Sequence, residues 1–128
     1  MIVLDTSVVI DLFIDGDAAD ATDAIIGLGE GALSAITVFE LLSGVRDPAH
    51  LHQRRELIDT CHVLEVSREV SFRAAELYSH LRDAGQLIQN EDLLIAATAL
   101  VRRCPLHTLN RRHYQRVPSL RLHEWSAG

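Results

Sequence analysis

The chain contains no lysine: its 12 basic residues are all arginine, set against 18 aspartate and glutamate residues. Cysteine is also scarce, since only Cys61 and Cys104 occur and their separation fits neither a metal site nor a redox pair. No apolar run approaches the roughly 20 residues needed to cross a bilayer. The apolar start has no basic flank and is interrupted by Asp5 and Asp11, unlike a secretory signal. We therefore expect a cytoplasmic chain with reduced thiols and no membrane contact.

Linkers, low-complexity tracts and internal repeats are absent as well. What remains is a chain of 128 residues with 48% hydrophobic and 23% charged residues, the composition of an ordinary globular protein that buries a core. We expect residues 1–128 to form a single domain.

The formal net charge of −6 argues against a nucleic-acid-binding protein, but the charges are unevenly distributed. Residues 1–30 contain no basic residue and seven acids: Asp5, Asp11, Asp15, Asp17, Asp20, Asp23 and Glu30. Residues 101–128 contain a single acid and six arginines: Arg102, Arg103, Arg111, Arg112, Arg116 and Arg121. Because arginine binds phosphate groups in a bidentate manner, the C-terminal region is a candidate nucleic-acid contact. The absence of lysine can equally reflect genome composition.

Short apolar runs alternate with helical patterns along the chain. The runs predict strands at residues 2–4, 32–34, 62–66, 105–108 and 120–122. A first helix is predicted after a cap at Thr6 or Ser7, and further helices are predicted over 17–28, 36–45, 48–60, 67–85 and 90–101, with a single turn at 110–114. Leu28 should face inward, Asn90 should cap its helix, and the all-apolar segment 93–101 should lie in the interior. This alternation predicts an α/β fold: a three-layer α/β/α sandwich with a short, mainly parallel central sheet.

Three acidic residues lie where such a fold brings side chains together. Asp5 ends the first strand, Glu40 lies in the apolar helix 36–45, and Asp92 lies in the first turn of the helix 90–101. Each has an ordinary alternative, because Asp5 and Asp92 can begin a helix and Glu40 can face solvent. A carboxylate among apolar neighbours is costly unless it is paired or binds a metal. With no lysine to pair them, the three acids together predict a Mg²⁺ or Mn²⁺ site made of oxygen ligands.

Four segments resemble the successive motifs of a known family. LDTSV at 4–8, FELLSG at 39–44, NEDLLIAA at 90–97 and TLN at 108–110 are similar to motifs of PIN-domain ribonucleases, and in particular of the VapC toxins of bacterial toxin–antitoxin pairs. The resemblance spans the whole chain, and the four motifs come in order. It therefore implies a single PIN domain.

The resemblance also assigns roles to residues of this chain. It implies that Asp5, Glu40 and Asp92 are catalytic acids that bind Mg²⁺, with Mn²⁺ as an alternative. Thr6 matches the hydroxyl residue that supports the first acid, and Thr108 is expected to support the site as well.

The fourth motif departs from the family pattern. Asn110 matches its catalytic position, where many relatives carry a further acid, and no Asp or Glu lies between Thr108 and Pro118. We therefore expect one strong metal site and at most a weak second one.

The function implied by the resemblance is metal-dependent cleavage of RNA phosphodiester bonds by a toxin that inhibits translation and growth. The arginines after the fourth motif are candidate contacts to the RNA backbone, although they can also be solvated surface residues: Arg111, Arg112 and Arg116. The implied partners are RNA, a VapB-like antitoxin that occupies the acidic groove, and a second copy of the chain. The dimer would form through helices that carry Leu41, Val45 and Leu57.

Two other functions fit parts of the sequence. A metal-dependent phosphatase or phosphotransferase also places Asp after a first strand, but it would need a second acid at position 7, which is serine. A degenerate domain that binds RNA or a protein without cleavage would explain the missing fourth acid, but not the three retained acids. Metal-dependent cleavage of RNA, as opposed to simple retention, distinguishes these functions.

Overall fold

In the computed structural model, which describes residues 1–127, strands and helices alternate along the chain. Their bounds are β1 Ile2–Leu4, α1 Thr6–Phe13, α2 Ala19–Gly27, β2 Gly31–Ser34, α3 Ala35–Leu42, α4 Pro48–Asp59, β3 His62–Leu64, α5 Arg68–Asp83, α6 Asn90–Arg102, β4 Leu106–His107 and α7 Arg111–Tyr114. Within the described residues, no helix combines the length and apolar character needed to cross a membrane.

The four strands form one parallel sheet in the order β3-β2-β1-β4. β1 lies inside the sheet, where Val3 pairs with Ala32 of β2 and with Leu106 of β4. A strand with neighbours on both sides and helices on both faces is expected to be apolar throughout, as β1 is. The predicted parallel sheet is confirmed.

Helices cover both faces of the sheet, and neighbouring residues of β1 point into different cores. Val3 packs with residues of α5 and α6, whereas Leu4 packs with residues of α1, α2 and α3. The interior position predicted for the apolar helix α6 is confirmed, because it buries Leu93, Ile95, Ala96, Ala97 and Ala99. The fold is therefore the predicted α/β/α sandwich.

Two helix starts differ from the prediction. α1 begins at Thr6 with Asp5 in the N-cap position, and α6 begins at Asn90 with Gln89 in the N-cap position, yet neither N-cap side chain accepts a backbone N–H of its helix. Thr6, Ser7 and Asn90 therefore lie in first turns and are not caps. The hydroxyls of Thr6 and Ser7 contact acidic side chains instead, which removes them from capping.

Other boundaries are shorter than predicted. The strand expected at 62–66 ends at Leu64, because it pairs with only three residues of β2. The strand expected at 120–122 is a single bridge between Leu122 and Leu106. Leu28 was expected to face inward but is 78% exposed, because α2 ends at Gly27 and the chain turns there.

The dimer contact implied by the family resemblance needs correction at two residues. Leu41 is fully buried in the core that also contains Leu4, so it cannot face a second copy of the chain. Val45 is half-buried but lies between α3 and α4 rather than on a helix, because α3 ends at Leu42. Leu57 is half-buried on α4. The large exposed apolar side chain of α3 is Phe39.

Candidate active site

Asp5 lies at the carboxyl end of β1, and its carboxylate accepts three hydroxyl donors. Ser7 and Thr108 each donate to Oδ2 at 2.7 Å, and Tyr114 donates to Oδ1 at 3.0 Å. Only 2% of the residue is exposed, so this network replaces most of its hydration. Asp5 occupies the N-cap position of α1, but its side chain accepts no backbone N–H of that helix, so the alternative of Asp5 as a capping side chain is wrong.

Glu40 faces the same edge of the sheet from α3. The Thr6 hydroxyl donates to Glu40 Oε1 at 2.8 Å and lies 3.0 Å from the Thr37 hydroxyl. The family resemblance implies that Thr6 supports the first acid, but in the structure its hydroxyl contacts Glu40. The hydroxyl next to it in sequence, that of Ser7, contacts Asp5 instead.

Asp92 completes the set from the first turn of α6, where it is half-buried. Burial raises the pKa of Asp92, and the negative charges of Asp5 and Glu40 raise it further, against opposing effects of Tyr114 and His113. Across residues 1–127, no arginine forms an ion pair with any of the three acids. Their mutual repulsion favours occupation by a cation.

The three acids line one cleft of about 660 Å³. The other side chains that line it are Thr6, Ser7, Ile10, Leu87, Ile88, Gln89, Asn110, His113 and Arg116. The structure therefore brings Asp5, Glu40, Asp92 and Asn110 together as the sequence predicts.

Thr108 connects the fourth motif to the first. It is buried at the end of β4, donates to Asp5 and accepts the Asn110 backbone N–H at 2.9 Å. Ser7 makes a parallel link, because its hydroxyl accepts the Leu109 N–H at 3.1 Å. These bonds fix the chain after β4 against the carboxylate of Asp5.

The three candidate arginines have different surroundings. Arg116 lines the cleft and donates to the Leu87 carbonyl at 3.2 Å. The Arg111 guanidinium instead bonds Glu124 and the His123 carbonyl, each at 3.1 Å. Arg112 is exposed and does not line the cleft. Only Arg116 therefore stands where a bound phosphate could meet the acids.

Comparison with known proteins agrees with this arrangement. The family model of the PIN domain matches residues 2–119. The chain belongs to the PIN-domain family. This match covers all four motifs and every residue that we place in the cleft.

Relatives of this PIN domain are VapC proteins. Ribonuclease VapC1 of Methanocaldococcus jannaschii is 29% identical over 120 residues, which cover 91% of this chain and 80% of the relative. Ribonuclease VapC2 of Rickettsia felis is 32% identical over 98 residues, or 73% of each chain. The solved structure of VapBC2 from Rickettsia felis, bound to a DNA fragment from its promoter, has a TM-score of 0.79 at 28% identity and covers 98% of this chain and 100% of that one.

The PIN-domain site fits a hard divalent ion by its chemistry. Three carboxylates and several hydroxyls supply oxygen atoms, which suit Mg²⁺ and Mn²⁺ better than zinc. In the conformation of residues 1–127, no three His, Cys, Asp or Glu side chains converge closely enough to hold one ion. The three acids line the same cleft, but their oxygens do not converge on one position. Binding of a divalent ion by all three would require small side-chain movements.

Sequence reasoning missed two residues of the PIN-domain site. Ser7 was interpreted only as a possible helix cap, and Tyr114 only as the end of a helical turn. Burial raises the pKa of the Tyr114 hydroxyl, and the charges of Asp5 and Asp92 raise it further, so the phenol stays protonated. The available signal was that a buried tyrosine needs a partner for its hydroxyl, and the nearby acids of the other motifs provide one.

Proposed function

We propose that this PIN domain is a metal-dependent endoribonuclease, the toxin of a toxin–antitoxin pair. The observation that carries the proposal is the cleft itself, in which three acids from separate elements meet without a basic partner among residues 1–127. The names of the relatives support the reaction, since the proteins from Methanocaldococcus jannaschii and Rickettsia felis are ribonucleases.

The chemistry follows from the residues of the cleft. Asp5, Glu40 and Asp92 would hold Mg²⁺ or Mn²⁺, which lowers the pKa of a water and neutralises charge on phosphoryl oxygens when it is bound. Ser7 and Thr108 orient Asp5 by donating to one of its oxygens.

The RNA backbone would enter between the acids and the basic side of the cleft. Arg116 is held by the Leu87 carbonyl, so its guanidinium is preorganised to bind a phosphate. Asn110 lines the same side and can donate from its amide to a phosphate oxygen. This arrangement suits hydrolysis of a phosphodiester within a strand, because the cleft is open rather than closed around a chain end.

We also propose a VapB-like antitoxin as the partner. Solved relatives from Rickettsia felis and Haemophilus influenzae are VapBC complexes. A segment of the antitoxin that carries arginine would neutralise the three acids and exclude RNA from the cleft. Release of the chain from this partner would inhibit translation and growth. We keep a homodimer as part of the proposal, with Leu41 removed from its contact surface.

The proposal is tested by incubating purified protein with total RNA in Mg²⁺, in Mn²⁺ and in EDTA. Asp92→Asn is the sharpest variant, because it removes a charge and leaves the Ser7 and Thr108 hydroxyls bonded to an unchanged Asp5 carboxylate. We expect cleavage that needs the divalent ion and falls by about 100-fold or more in Asp92→Asn.

Glu91→Gln is the matched control, since Glu91 is the exposed neighbour of Asp92 in the same helical turn. It removes the same charge and should cleave at the wild-type rate. RNA that is bound but never cut, with either metal, would contradict the proposal and favour the degenerate binding domain.

A further inference from the structure

Tyr114 is a fully buried polar side chain in contact with the acids, and the proposed chemistry leaves it without a role. It belongs to α7, and its hydroxyl donates to Asp5 Oδ1 at 3.0 Å. The charge of Asp92 lies close enough to this hydroxyl to raise its pKa, as the charge of Asp5 does. One phenol from α7 therefore donates to the acid of β1 and lies beside the acid of α6.

The other hydroxyls that contact the acids are placed differently. Ser7 and Thr108 both donate to Oδ2 of Asp5, the opposite oxygen from the one that Tyr114 contacts. The Thr6 hydroxyl contacts Glu40 and Thr37. Without the phenol, Oδ1 of Asp5 would lose its hydroxyl donor while the like charge of Asp92 stays nearby.

We propose that Tyr114 is a positioning residue that fixes the orientation of the Asp5 carboxylate beside Asp92 for the divalent ion. This inference rests on the proposed metal-dependent function. A protonated phenol suits the task, because it donates a hydrogen bond and leaves the negative charge of both acids available to a cation. An arginine in its place would cancel that charge.

Tyr114→Phe tests the inference directly, because it removes one hydroxyl and keeps the ring that fills the core. Mn²⁺ binding to the purified full chain, measured by calorimetry, should be about 10-fold weaker. Under saturating Mg²⁺, kcat for RNA cleavage should fall while KM for RNA stays the same, because Tyr114 is buried away from the RNA path. Tyr78→Phe, the same change on the surface of α5, should match the wild type in both measurements.

A second measurement needs no metal. In EDTA, the effect of Tyr114→Phe on the unfolding equilibrium is compared in the wild type and in Asp92→Asn. If the phenol offsets the repulsion between the two charged acids, its loss should change the equilibrium constant about fivefold less in the Asp92→Asn background. If charge repulsion unfolds the Tyr114→Phe protein, the loss of the hydroxyl can still be measured in the Asp92→Asn background.

The outcomes separate this inference from the proposed function. Wild-type protein that binds Mn²⁺, with the same or tighter binding in Tyr114→Phe, overturns the positioning role and leaves the nuclease intact. Equal effects of Tyr114→Phe in both backgrounds also overturn it. Wild-type protein that neither binds Mn²⁺ nor cleaves RNA overturns the proposed function, and the positioning role falls with it.

Discussion

Single residues of the same type can have different roles, and the arginines after β4 illustrate this. The Arg111 guanidinium is bonded to the C-terminal segment, whereas Arg116 projects into the acidic cleft. A salt-bridged guanidinium has little free donor capacity for a phosphate, so the electrostatic contact with RNA should depend mainly on Arg116.

Arg116→Gln is therefore expected to weaken binding of single-stranded RNA regardless of its sequence. Loss of one phosphate contact should reduce the slope of log affinity against log salt by about 0.7. Fluorescence anisotropy of a labelled RNA in EDTA, over a range of salt concentrations, measures both effects. Arg55→Gln, which removes an exposed arginine of α4, is the control, and equal slopes for the two variants would contradict the assignment.

The limits of sequence prediction also lie at the residue scale. The three acids could be placed because strand ends and helix starts fix the backbone positions of Asp5, Glu40 and Asp92. The directions of side chains could not be predicted in this way. Thr6 and Ser7 are adjacent, yet successive residues of a helix differ by about 100° around its axis, so the Thr6 hydroxyl contacts Glu40 and the Ser7 hydroxyl contacts Asp5. The partner of the Tyr114 hydroxyl likewise depends on tertiary packing that local patterns do not encode.

At the scale of elements, β4 joins the functional edge of the sheet to the C-terminal segment. The Leu106 N–H donates to the Arg121 carbonyl, and the His123 N–H donates to the Leu106 carbonyl. Next in β4, His107 is fully buried and contacts the rings of His123 and Trp125 edge to face. The sequence predicts a strand at 120–122, but among the described residues its pairing with β4 is the single bridge between Leu122 and Leu106.

His107 should make this junction sensitive to acid. The Thr22 hydroxyl donates its proton to the Ala18 carbonyl, so it accepts the hydrogen bond from His107 Nε2 at 2.9 Å. The other ring nitrogen, Nδ1, has no partner, so a proton added there would find no acceptor. Burial, with the nearby charges of His123 and Arg111, lowers the pKa of His107 from 6.5 to about 4. The unfolded chain therefore binds a proton on this histidine more readily than the folded chain does. The contribution of neutral His107 to the free energy of unfolding is complete above pH 6.5 and is lost as the pH falls towards 4.

We expect the free energy of unfolding in urea to fall by about 2–3 kcal/mol across that range on account of His107. His107→Gln should lower stability at neutral pH but flatten the dependence on pH. His50→Asn, which changes an exposed histidine of α4, should keep the wild-type profile. A wild-type profile as flat as that of His107→Gln would show that the ring is protonated in the fold without cost.

At the scale of the whole molecule, the acids that the proposed function requires should lower the stability of the metal-free protein. The fold places three carboxylates at one sheet edge of a chain whose net charge is −6. Burial raises the pKa of Asp92, and the charges of Asp5 and Glu40 raise it further, so the ionised form of Asp92 is disfavoured in the metal-free cleft. Removing that charge should therefore stabilise the metal-free protein, while a bound cation should stabilise only the chain that retains it.

Asp92→Asn should raise the free energy of unfolding in EDTA by about 0.5–1 kcal/mol, a modest value because solvent screens a half-buried charge. Addition of Mn²⁺ at about ten times its dissociation constant should then stabilise the wild type by about 1.4 kcal/mol and leave Asp92→Asn unchanged. Glu91→Gln should respond to Mn²⁺ as the wild type does, because its charge lies outside the cleft. If Mn²⁺ stabilised the wild type and Asp92→Asn equally, the ion would be screening the overall negative charge rather than binding between the acids. The difference in stability between the two proteins in EDTA would then reflect local packing alone.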